Sequence, residues 1–142
     1  MFQEEIKALS DKLNFNLIGF AKLKYFYKLE DILKIQESLK CKTSFQIGAI
    51  EDKVFKNSEY KSAVVFGLAY NKQIIEENKL KEKEFYLSSY CYGTDYHIII
   101  KDKLKIIKEF INNNGYKAEI FADNNVLDER YLAYEAGLGF FG

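Results

Sequence analysis

The run Ser62-Ala63-Val64-Val65-Phe66-Gly67-Leu68-Ala69-Tyr70 limits the possible folds more than any other stretch of the chain. It is apolar and β-branched, it is bounded by Lys61 on one side and Asn71-Lys72 on the other, and it predicts a strand lying centrally in a sheet. Leu17-Ile18-Gly19-Phe20-Ala21 is a second short apolar run and predicts a strand buried on both faces. Gly19 inside it marks either a close approach of another backbone or an ordinary sheet glycine. Tyr116 to Ala122 alternates in polarity and predicts a further strand that delivers Asp123 at its end.

Helical spacing fills the intervals between these strands. Met1 to Leu13 places Phe2, Ile6, Leu9 and Leu13 on one side and leaves Glu4, Glu5, Lys7 and Asp11 to solvent, with Asn14 and Asn16 marking the end. Leu29 to Leu39 repeats through Leu29, Ile32, Leu33, Ile35 and Leu39 against a polar face of Glu30, Asp31, Lys34 and Glu37. The long helix Tyr96 to Asn113 turns Ile98, Ile99, Leu104, Ile107, Phe110 and Ile111 inward. Thr94 or Asp95 is its natural N-cap, and Asn112-Asn113-Asn114-Gly115 is its stop. Val126 to Ala136 reads as one short helix. Periodicity weakens from Lys40 to Glu59, a loop with a short helix around Ile50 to Phe55, and charge dominates Ile75 to Glu84, a solvated helix or connection. This alternation predicts an α/β fold: a mixed sheet of about four strands flanked by amphipathic helices, with residues 1–142 as a single domain.

Composition sets outer bounds on function. Lys plus Arg and Asp plus Glu both total 21, so no global electrostatic footprint for nucleic acid or an anionic membrane exists, and any RNA contact is local. No apolar run reaches the roughly 20 residues that span a bilayer. The start Met1-Phe2-Gln3-Glu4-Glu5 lacks the basic and apolar pattern of a signal peptide, so a cytoplasmic protein without a membrane partner is expected. Cys41 and Cys91 lack C-x-x-C spacing; no metal site, cluster or disulfide built by this chain alone is expected.

The stretch from Phe121 to Gly142 gathers the residues with the most chemistry. Asp123 sits at a strand end, Arg130 follows on the next helix, and the chain leaves through Gly137-Leu138-Gly139-Phe140-Phe141-Gly142. Strand C-termini are where open α/β sheets place ligands. Ordinary helix chemistry accounts for the same residues: Asp123 or Asn124 as an N-cap, Asp128 and Glu129 as first-turn acids, Gly137 as the left-handed residue that ends the helix.

Asp123, Glu129-Arg130, Ala133, Ala136-Gly137-Leu138-Gly139 and the aromatic pair before Gly142 together resemble the end of the cobalamin-binding N-terminal domain of epoxyqueuosine reductase. Three further patches agree in order: Ile18-Gly19-Phe20, Lys61-Ser62 leading to Gly67-Leu68-Ala69-Tyr70, and Tyr92-Gly93-Thr94-Asp95-Tyr96-His97. The resemblance implies a reductase that removes the epoxide oxygen from a modified tRNA nucleoside, using cobalamin and electrons from 4Fe-4S clusters. It implies Asp123 as the acid that protonates the developing alkoxide. Burial against the corrin would favour the protonated acid, and a nearby Arg130 the carboxylate. It implies further that Lys53 meets the cofactor's polar edge, where relatives use Arg, that Ser88 and the backbone through Gly93 face the corrin's amides, and that Arg130 belongs to the same pocket. His97, the single histidine, is then a capping or corrin-edge group and no axial ligand of cobalt.

The chain departs from the family in two places. Asn124-Asn125-Val126 follow the acid where a small residue and often Pro are usual, and the cysteine-rich ferredoxin-like module that carries the clusters is not among the 142 residues. The expectation is therefore the cofactor part of a longer enzyme, or a relative that needs a cluster-bearing partner reductase, with tRNA engaged through the complete enzyme. A non-catalytic cobalamin carrier and a related reductase of another electrophile are the alternatives.

Overall fold

The computed structural model describes residues 2–23, 27–39, 60–70, 72–73, 76, 88–91, 93–122 and 128–140. In chain order these form α1 (Phe2–Lys12), β1 (Leu17–Lys22), α2 (Tyr27–Ser38), β2 (Ser62–Gly67), a 3-10 turn (Ser89–Cys91), α3 (Tyr96–Asn113) and α4 (Glu129–Glu135). The fold is α/β. Its β1 and β2 pair with each other, Asn16 N–H donating to Gly67 O at one end and Leu23 N–H to Lys61 O at the other, so the strands run antiparallel.

The chain divides into two compact units. One comprises Leu17–Phe66 and Asp123–Gly142. Its core is Ala21, Leu29, Tyr131 and Leu132, with Leu23, Leu33, Ala63, Val65 and Ala136 packed around them. Helix α4 lies on β1, and Gly19 is why it can: a Cβ there would stand 2.7 Å from the carbonyl oxygen of Ala136 and 2.8 Å from its Cβ. Of the two readings open for Gly19, the close backbone approach is the one observed.

The other unit comprises Met1–Asn16 and Gly67–Ala122. Here α1 packs on α3, and Ile6 of α1, Phe15 just after it and Ile107 of α3 are buried. The Phe2 ring stacks on Phe110 at 5.9 Å and on Tyr116 at 4.9 Å. Lys103 donates to the carbonyl of Leu13 and lies 5.6 Å above the Phe15 ring, so its stem and charge both close the α1 end. Lys105 and Lys108 are engaged in ion pairs with Asp102 and Glu119.

Helix ends follow one pattern in both units. After α4, Gly137 adopts φ 74° and donates to Tyr134 O, while Leu138 donates to Ala133 O, the paired bonds of a Schellman stop. The same pair closes α3 at Gly115 and Tyr116, and α1 at Asn14 and Phe15, where asparagine takes the left-handed position at φ 56°.

Several expectations change in detail. Leu17 is 51% exposed while Gly19 and Ala21 are buried, so β1 buries one face and not two. Ile98 is 55% exposed, and Ile32 and Ile35 of α2 and Leu39 just after it also face outward, because the core is narrower than the apolar stripes of these helices. Tyr116 to Ala122 is not a strand: the Ala118 N–H goes to the Asn112 side chain at 3.1 Å and Glu119 pairs with Lys108, local bonds that replace a ladder. The sheet among the described residues therefore has two strands. The expected helix around Ile50 to Phe55 and most of Ile75 to Glu84 lie outside the described residues.

Substitution of Gly19 by Ala drives a methyl group into a backbone carbonyl that cannot turn aside. Gly19→Ala is expected to cost about 1–3 kcal/mol in urea unfolding, whereas Gly139→Ala, with no atom within 4 Å, should stay within about 0.5 kcal/mol of wild type. Equal stabilities would remove the α4 seat from the account.

Candidate functional site

Asp128 is the side chain that starts α4. Its extended backbone and its Oδ1, which accepts from the Tyr131 N–H at 2.9 Å, make it the N-cap, so the helix begins at Glu129, later than the expected Val126. Asp128 therefore stands at the cap and not within the first turn. Arg130 falls in that first turn and is exposed. A cation there faces the positive end of the helix dipole, so the stability of α4 does not account for it. One position on, Tyr131 is 3% exposed; burial, with Glu135 adding to it, pushes its hydroxyl up to about 12. Tyr131 is a core residue with a polar tip, and the sequence reading did not single it out.

The second cluster lies in the unit that contains α3. Ser88 is exposed, and its carbonyl accepts from the Cys91 N–H at 2.9 Å, which closes the 3-10 turn. Tyr90, in that turn, is 54% exposed and meets the Tyr96 ring edge-on at 6.3 Å. Tyr96 stacks on the imidazole of His97, with centroids 4.0 Å apart. Asp95 caps α3 and does more than cap it: its Oδ1 accepts from the His97 backbone N–H at 2.8 Å and lies 2.7 Å from His97 Nδ1. The His97 backbone bond first, and the His97 side chain second, hold the Asp95 carboxyl below the usual carboxylate range. An ionised carboxylate can only accept, so Nδ1 is the protonated ring nitrogen. Thr94 and Asp95 were both expected as caps, and Asp95 is the cap observed. Its second bond, to the ring two residues on, has no sequence pattern of its own.

Two of the residues expected at the site are thus described, each within its own unit: Ser88, exposed at the turn, and Arg130, exposed on α4. Lys53 and Asp123 lie outside the described residues. Among the described residues there is no group of three or more His, Cys, Asp or Glu placed to hold a metal ion, and no helix long and apolar enough to cross a membrane.

Asp95 gives a pH dependence whose sign follows from its direction. A carboxyl depressed in the folded state adds stability that is complete above the unfolded value, about 3.9, and is lost as pH falls through its own lower range. The carboxylate's share of the stability gap between wild type and Asp95→Asn should therefore be complete at about pH 5 and shrink as pH falls below about 4. A gap that stays flat to the lowest accessible pH would exclude the carboxylate charge.

Known proteins resemble this chain in sequence and in fold. The sequence family described as "Epoxyqueuosine reductase QueG, DUF1730" matches residues 56–124. The epoxyqueuosine reductase of Bacillus subtilis is 27% identical over 97% of this chain and 38% of its own length, and that of Lactococcus garvieae is 28% identical over 99% and 42%. The chain thus spans about two fifths of the length of the curated relatives it matches. Among solved structures, an epoxyqueuosine reductase crystallised with an epoxyqueuosine-modified tRNA-Tyr stem loop superposes with TM-score 0.79 at 26% identity, covering 98% of this chain and 39% of that one. A B. subtilis epoxyqueuosine reductase with its aspartate-bearing catalytic loop swung out of the active site gives TM-score 0.77 at 25% identity, over 98% and 38%.

Proposed function

We propose that this chain, similar to the epoxyqueuosine reductases in sequence and in fold, is over residues 1–142 the cobalamin-binding part of such an enzyme, acting as one domain. The observation that carries the reading is the correspondence of sequence and fold over nearly the whole chain. The local chemistry of the described residues supports it in two places. Arg130 projects from a helix whose own stability it does not serve. Exposed Ser88 beside half-exposed Tyr90 offers a hydroxyl and a ring, the two chemistries that the amide arms and flat face of a corrin require, and so the described residues fit such a group. A relative carries an aspartate on its catalytic loop, the role assigned here to Asp123.

Cobalamin held there would supply the reducing cobalt chemistry, and 4Fe-4S clusters on the remainder of the enzyme or a partner would supply the electrons. The chain's own residues supply the surroundings. Asp123 gives its proton to the oxygen as the C–O bond opens. The resemblance assigns Lys53 to the polar edge of the cofactor, Ser88 to its amides and Arg130 to the cofactor-binding residues. The tRNA is engaged through the complete enzyme, in the cytoplasm.

Purified chain mixed with cob(II)alamin is expected to shift the absorption spectrum to the base-off form at micromolar protein. An unchanged spectrum, with the cobalamin migrating freely on gel filtration, removes the reading. In an assay completed with a cluster-bearing domain, reductant and an epoxyqueuosine stem loop, Asp123→Asn should still bind cobalamin and lose turnover by at least about a hundredfold. Equal rates would take Asp123 out of the chemistry.

A further inference from the structure

The contacts around α3 form a continuous brace. Asp95 holds the backbone and ring of His97, His97 stacks on Tyr96, and Tyr96 meets the edge of Tyr90 in the turn that follows Ser88. An N-cap by itself needs only the bond from Asp95 to the backbone, and serine or asparagine makes that bond as well as aspartate does. The second bond, to Nδ1, is surplus to capping. It fixes the imidazole plane, and a fixed imidazole gives Tyr96 one face to lie on. Tyr90 is more than half exposed, and among the described residues the Tyr96 edge is the ring contact that steadies it beside Ser88. The brace therefore costs the cofactor side little ordering at the moment of binding, because the wall beside Ser88 is already set.

We propose that Asp95 and His97 are positioning residues: through Tyr96 they hold Tyr90 and the Ser88–Cys91 turn in the one arrangement that receives the edge of the cofactor. This rests on the cobalamin reading above and extends it to residues that touch no cofactor atom themselves. Their effect is of the kind exerted by groups that orient binding residues from behind, for which substitution commonly costs 10–100-fold in affinity.

Asp95→Ser separates the two duties. Serine keeps the cap, and its short side chain cannot reach the His97 ring, so helix content by circular dichroism should match wild type while cob(II)alamin binds about tenfold more weakly. Asp95→Asn, whose Oδ1 can accept from both groups, should restore affinity to within about threefold of wild type. His97 is the single histidine in the chain, so its ring nitrogens can be read without assignment in an imidazole 15N spectrum. Wild type should show the Nδ1-protonated form, and Asp95→Ser a mixture of tautomers. Should Asp95→Ser fail to fold, His97→Phe, which keeps a ring for Tyr96 and cuts the tether, takes its place in the binding measurement. Wild-type affinity in Asp95→Ser or its substitute, or a wild-type ring protonated at Nε2, overturns the inference and leaves the cobalamin reading intact. Failure of wild type to bind cobalamin removes the reading, and the inference falls with it.

Discussion

The unit that carries β1 and α4 depends on the absence of one side chain. At position 19 the strand presents hydrogen, and the last turn of α4 comes down upon it until the Ala136 carbonyl is within 2.7 Å of where a Cβ would be. That approach lets Tyr131 and Leu132 reach Ala21 and Leu29 and exclude water from them. Burying such side chains is worth about 1.5–3 kcal/mol each, so the seat of the helix and the existence of the core are the same fact. The placement of Arg130 follows, since its backbone belongs to the first turn of the helix that Gly19 admits.

In the other unit order comes from helix ends. Helix α3 is stopped by a glycine and opened by an aspartate, and its C-terminal neighbour Tyr116 folds back to lie on Phe2 of α1. With both ends pinned, the first turn of α3 is a firm base for the aromatic rings around Tyr96. Among the described residues, the route from there to the turn at Ser88 runs through ring contacts and one backbone bond, so its geometry depends on the stiffness of those joints.

The bounds of helix α3 were legible because its signals are local: Asp95 caps, Gly115 turns left-handed, and the apolar spacing between them is helical. Gly19 and Gly137 were legible as alternatives, and only tertiary contact for the one and φ for the other could choose between them. The start of α4 was misplaced because Asp123, Asn124 and Asp128 are all good caps, and which of them is used depends on where the chain meets β1. Outward-facing Ile98, Ile32 and Ile35 show the limit of periodicity, which finds the stripe of a helix but not how much of it a neighbour covers. The pairing of Asp95 with the His97 ring was not legible, since a contact two residues apart at a helix start has no spacing rule, whereas Ser88 and Arg130 came from resemblance.

The ion pairs along the helices have a meaning beyond stability, to which such exposed pairs add little. Lys7 with Glu4, Lys34 with Glu30, Lys105 with Asp102 and Lys108 with Glu119 each cancel charge over 2.7–3.0 Å. Opposite charges so close leave small dipoles whose fields die away well inside the Debye length of about 8 Å at physiological salt. Among the described residues these lysines build no plateau of positive potential on α1, α2 or α3. A polyanion drifting past would be turned toward these helices hardly at all, and would have to be recognised by fit once already in contact.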